Sequence, residues 1–198
     1  MANKLPISEA GKQELQNYVS SAIKTESQIE NVEVNEELLL AALNLYIQSG
    51  QMLDQIKKHV FYKKPYNIDN LINNWEAAHV CLKQIHDANV EEEKTVSVNP
   101  RIFHSVVGIA TESTELCEAL YDNLENKNPL DLVNLHEEAG GDISWYTAIL
   151  MDETQGNWGD DLNKNILKLM ARYSDKFSTE NAINRDLVKE RAILEGKA

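Results

Sequence analysis

Apolar residues recur along this chain mostly at intervals of three and four, and that periodicity predicts a string of amphipathic helices. Ile7, Leu15, Val19, Ile23 and Ile29 mark a first helix over 8–29 behind a Ser8 cap. Asn35 opens a second, Glu36 to Phe61, whose stripe of Leu39, Leu43, Ile47, Met52 and Ile56 ends before the turn around Pro65. Asp69 is expected to cap a third that runs to Asp87. The polar stretch NVEEEKTVSVNP, closed by Pro100, then reads as a linker. Beyond it the pattern gives helices at about 101–124, 130–151, 161–174 and 179–195, broken at NKNP and QGNWGD.

The expected fold is therefore an all-α bundle of antiparallel helices, in an N-terminal half (1–90) and a C-terminal half (101–198) that either share one core or pack separately. Sliding the chain on itself by 64 positions sets Pro65 over Pro129, Asn70 over Asn134 and Leu71 over Leu135, which suggests a tandem duplication of a helical unit.

Composition narrows the partners. A net charge of −13 speaks against a nucleic-acid surface, which needs Lys and Arg for the phosphate backbone. An anionic phosphate ligand would need a metal to bridge it. No apolar run reaches the roughly 18 residues of a membrane span, and MANKLPISEAGKQ lacks a signal peptide's apolar core, so a cytoplasmic protein is expected. Cys81 and Cys117 lack metal-ligand spacing and read as reduced thiols.

The informative chemistry is carboxylate. Glu112 and Glu115, three apart in GIATESTELCEAL, share one helical face. Glu138 and Asp142, four apart in HEEAGGDISWY, would meet them across a hairpin closed at NKNP. These acids interrupt apolar surroundings rather than forming an ordinary solvated face. Four converging carboxylates suit a hard cation, Mg²⁺ first, with Mn²⁺ as a substitute.

HSVVGIATESTELCEAL, NLHEEAGGDISWYTAIL, NKNILKLMARYSDKF and NRDLVKERAILE together resemble the MazG-like branch of the all-α NTP pyrophosphohydrolases, over residues 103 to 195. The resemblance implies a Mg²⁺-dependent enzyme that cuts a nucleoside triphosphate between its α and β phosphates, releasing the monophosphate and pyrophosphate. Glu112, Glu115 and Asp142 match that family's acidic positions. The Glu that normally lies three before the Asp is here Ala139, as though EEAGGD carried one extra glycine. A π-bulge would absorb the insertion and keep Glu138 facing the metal, with Glu137 the other candidate. By the same resemblance, Lys168 and Arg172 reach the phosphates with Asn165 nearby, and the chain pairs as a homodimer unless the degenerate half fills the seam.

Under the 64-residue register Glu112, Glu115, Glu138 and Asp142 fall on Gln48, Gln51, Asn74 and Ala78. The first half is thus expected to be a degenerate copy without metal ligands, supplying wall rather than chemistry. Trp145, Tyr146 and Trp158 read as core before base-stacking platforms, His104 and His136 as structural. Lys57, Lys58, Lys63 and Lys64 read as a solvated loop before a phosphate-facing patch. The competing reading is a nucleotide-binding or helix-pairing protein that has lost turnover.

Overall fold

The computed structural model describes residues 6–27, 29–87, 95–173 and 177–197. Their order is α1 (Glu9–Ala22) with a 3₁₀ turn (Ile23–Thr25), β1 (Val32–Asn35), α2 (Glu36–Tyr62), α3 (Ile68–Asp87), β2 (Thr95–Val98) and α4 (Pro100–Glu125), followed by α5 (Leu132–Glu137), a π-helical turn (Glu138–Asp142), α6 (Ile143–Glu153), α7 (Trp158–Tyr173), α8 (Thr179–Ile183) and α9 (Leu187–Leu194). The fold is an all-α helical bundle, joined only by a two-stranded β1–β2 ribbon among the described residues. No helix is long and apolar enough to cross a membrane among those residues.

The chain forms two compact units: one division, between Ser97 and Val98, falls within the expected linker, and two further ones follow Val32 and Leu167. The first contains the described residues up to Val32 together with Val98–Leu167; the second contains those of Glu33–Ser97 with Lys168–Gly196. Each unit therefore joins one long helical hairpin to a segment from the far end of the sequence.

In the first unit α6 packs between α4 and α1. Val19, Ala22 and Ala148 are buried together, with Trp145, Met151 and Trp158 against them. The Trp145 indole donates to Ala22 O at 3.2 Å and Thr25 Oγ1 at 2.9 Å, so the ring is a core strut. Asn163 accepts from Ile7 N at 3.0 Å and donates to Ile7 O at 2.9 Å, fastening the chain ahead of α1 to α7. Arg101 forks onto the buried Glu26 and also meets Asp152 at 2.8 Å and Glu153 at 3.0 Å. Gly108 has no room for a side chain, because a Cβ there would lie 2.2 Å from the Tyr146 ring.

In the second unit α2 packs along α3, and α8 rests on α2. Glu190 is buried and receives two guanidinium groups, Arg172 at 2.7 Å and Arg185 at 2.5 Å. These pairs hold its carboxyl down to about 2, first through Arg185 and then Arg172, against the opposing effect of burial.

The two hairpins share a register. Asn35 caps α2 through Leu38 N, and Asn99, 64 positions on, caps α4 through Ile102 N. Helices α2 and α4 begin at Glu36 and Pro100, and α3 and α5 at Ile68 and Leu132, each pair separated by the same 64 residues. Strand β1 ends on the first capping asparagine, Asn35, and β2 ends one residue before the second, Asn99.

Several boundaries differ from expectation for local reasons. Thr95–Val98, read as linker, is strand β2, its exposed and half-buried positions alternating. Residues 89–94 of that stretch lie outside the described residues. Asn67, not Asp69, caps α3, accepting from Asn70 N at 3.0 Å. The segment 179–195 is two helices, because Asp186 caps a fresh start through Lys189 N. α1 ends at Ala22 rather than near 29, and α7 begins inside QGNWGD at Trp158.

Candidate metal centre

Glu112 and Glu115 come from the middle of α4, where unbroken helical spacing stacks them on one face. Glu138 comes from the opposite arm of the hairpin, at the start of the π turn. One ligand oxygen from each of the three lies within 4.8 Å of the others. The wide turn is what the extra glycine requires. Ile143 N–H reaches back five residues to Glu138 O, so the inserted residue is taken up locally and the helix on either side keeps its face. Of the two candidates, Glu138 is in the cluster, and Glu137 is exposed and outside it.

Glu138 Oε2 is buried without a hydrogen-bond partner among the described residues. None of the four acids has a Lys or Arg ion pair among those residues. Burial is the main reason that the Glu138 carboxyl is pushed up to about 7, reinforced by the charge of Glu115, a hydrogen bond with Glu112, and the charge of Asp142. Asp142 ends the π turn, exposed, outside the three-residue cluster yet near enough to act on Glu138. A compact group of hard oxygens, electrostatically unbalanced and with one orphaned buried acceptor, fits a divalent cation.

A cavity of about 270 Å³ adjoins the cluster, lined by Glu115, Glu118, Asp122, Asn134 and Glu138 among others. Tyr146 lies one helical turn beyond Asp142, and burial with the charges of Glu112 and Asp142 raises its phenol. Sequence reasoning placed Tyr146 in the core and passed over this proximity, although the four-residue spacing from Asp142 already puts both on one face. His104 meets the rings of Trp145 and Tyr146 edge-on, a structural role, while His136 is exposed.

The expected phosphate ligands are divided between the two units. Asn165, exposed, belongs to the first unit with the acids, whereas Lys168 and Arg172 belong to the second. Arg172 is engaged by Glu190 through both Nε and an NH₂ group, at 2.8 and 2.7 Å. The three are thus not gathered with the carboxylates inside one compact unit.

At the matching register of the second unit, Asn74 Nδ2 donates to Gln48 Oε1 and Gln51 Oε1, both at 2.7 Å. The amides close on each other where the acids of the other hairpin face one another. Comparison with protein-family models, curated proteins and solved structures gives no match for this chain.

Proposed function

We propose that this chain is a Mg²⁺-dependent nucleoside triphosphate pyrophosphohydrolase, releasing a nucleoside monophosphate and pyrophosphate. The observation that carries this reading is the convergence of Glu112, Glu115 and Glu138 within 4.8 Å on a hairpin whose π turn accommodates the inserted glycine. Its sequence counterpart is the resemblance of the α4 and α5–α6 segments to MazG-like enzymes.

Glu112, Glu115 and Glu138 would hold the cation, with Asp142 beside them as the fourth carboxylate. Mg²⁺ held there would supply charge neutralisation at the phosphates and make water more acidic. The remaining work falls to the chain. Helix α4 sets the backbone of Glu112 and Glu115 one turn apart on one face, which limits the reorganisation that binding would require. One of the four carboxylates would also take the proton from the attacking water. Buried Ile149 and Ala148 on α6 keep the helix behind these acids from shifting. The apolar residues exposed on α2 and α3, such as Ile47 and Trp75, are the surface we assign to pairing with a second copy, which sedimentation velocity tests directly.

The test is a panel of ribo- and deoxyribonucleoside triphosphates incubated with Mg²⁺ or EDTA, with products separated by ion exchange. The monophosphate and pyrophosphate should form with Mg²⁺ alone and vanish in Glu115→Gln. The engagement of Arg172 by Glu190 favours a second reading, a nucleotide-binding protein without turnover. Cation binding with no product across the whole panel would select it.

A further inference from the structure

The second unit contains a cavity of about 400 Å³ that the proposed reaction does not use. Lys57, Lys58, Lys64, Arg172 and Arg185 line it, with Tyr62 on the wall. These cations come from three separate places: the end of α2 and its turn, α7, and the connection between α8 and α9. Lysines at a helix C-terminus are ordinary complements to the helix dipole. Two arginines brought to the same cavity from other elements are not accounted for that way.

Among the described residues, two carboxylates pair with these five cations. Asp54 pairs with Lys57, at 2.6 Å, and with Lys58. Glu190 is shared by Arg172 and Arg185. Lys64 has no acidic partner among the described residues. The cavity is therefore locally cationic in a chain whose net charge is −13.

The arrangement is also held in place. Lys63 takes a left-handed conformation at φ 54°, which turns the chain so that Lys64 N donates to Lys58 O at 3.3 Å. His59 Nδ1 lies 3.0 Å from Lys64 O, and its ring stacks on Tyr66 at 4.0 Å. The backbone at Lys64 is thus anchored beside Lys58. On the wall, the Tyr62 ring stacks with Phe177 at 5.7 Å, offering an aromatic surface next to the cations.

We infer that this cavity is a metal-independent binding site for a small polyphosphate-bearing molecule, a nucleotide or inorganic pyrophosphate, distinct from the carboxylate centre. Clustered guanidinium and ammonium donors recognise phosphate through charge-assisted hydrogen bonds. Its volume suits a small molecule rather than a nucleic-acid strand. Tyr62 would add stacking for a ligand that carries a base.

The experiment is isothermal titration of the full chain with pyrophosphate and with ATP, both in EDTA so that the carboxylate centre carries no metal. Both ligands should bind, and affinity should fall as salt rises. Lys64→Glu and Lys58→Glu should each weaken binding about tenfold or more, the range for losing a charge-assisted hydrogen bond. Lys164→Glu, a charge reversal on a half-buried α7 residue of the first unit that pairs with Asp161 at 3.5 Å, should leave the affinity unchanged. Circular dichroism melting of each variant confirms that it is folded. ATP binding without pyrophosphate binding would still support the site if Lys64→Glu abolished it. Absence of binding by both ligands would overturn the proposal. So would binding that Lys64→Glu and Lys58→Glu leave intact while folded, or binding that Lys164→Glu weakens equally.

Discussion

The Asn74 side-chain amide donates to Gln48 Oε1 at 2.7 Å, and the two residues stand 64 positions before Glu138 and Glu112. Gln51, the counterpart of Glu115, accepts from the same Asn74 nitrogen at 2.7 Å. One backbone arrangement therefore carries two electrostatic solutions. Amides supply both donors and acceptors, so three of them satisfy each other with no ion. Ionised carboxylates are acceptors only, and three brought together repel unless a proton or a cation enters.

Restoring the acids should restore the site. In the combined variant Gln48→Glu, Gln51→Glu, Asn74→Glu, Mn²⁺ stoichiometry measured by electron paramagnetic resonance should rise from one to two per chain. A folded variant that still bound one would show that the shared register does not extend to side-chain geometry. In the parent background Asn74→Ala should cost about 1–3 kcal/mol in urea unfolding, because Asn74 is buried and both glutamines lose their donor.

Glu138 should respond in opposite directions with and without metal. Its carboxyl is disfavoured by burial and by Glu115, Glu112 and Asp142, so Glu138→Gln should raise the melting temperature of the metal-free protein. Mn²⁺ at about 100 times its Kd should stabilise the parent by about 2.7 kcal/mol, and Glu138→Gln should lose most of that gain. Differential scanning fluorimetry with EDTA and with Mn²⁺ reads both arms. A variant destabilised in EDTA would count against the crowding described for this carboxylate.

Much of this was legible in the chain. The caps at Ser8 and Asn35 and the long stripes of α2 and α4 followed from local rules that tertiary packing did not override. The π turn was legible because an inserted residue between two acids that must share a face has few places to go. The strands VEVN and TVSV were not, since four residues carry too little periodicity to outweigh helical neighbours. The make-up of the compact units was equally hidden. No local signal says that α1 packs on α6, or that α8 packs on α2. The basic residues near Lys58 looked like a solvated turn because Arg172 and Arg185, which join them on one cavity, lie over a hundred positions away.

Acid should weaken the second unit through Glu190. Its folded carboxyl is held to about 2, below the usual value near 4.5, so its stabilising contribution is present above about pH 4.5 and lost as pH falls toward 2. The melting-temperature gap between the parent and Glu190→Gln should be widest at pH 6 and should narrow steadily below pH 4.5. A gap that stayed constant between pH 6 and pH 3 would mean that the arginine pair does not set this carboxyl's ionisation.

Deleting Gly140 tests the π turn as an accommodation rather than a requirement. The glycine is exposed and a Cβ there would meet nothing within 4 Å, so no packing depends on it. With one residue removed, the turn can close with ordinary α-helical bonds, leaving Glu138 and Asp142 three apart and still on one face. The deletion should therefore keep the Mn²⁺-induced rise in melting temperature. Gly140→Ala, which preserves chain length, should also keep it, and should stabilise the protein by about 0.5–1 kcal/mol if the turn shares the helix preference for alanine. Loss of the metal response in the deletion, with helical circular dichroism intact and Gly140→Ala responding normally, would show that the wide turn itself aims Glu138. In that case the extra glycine would be part of the site rather than a change that the site absorbs.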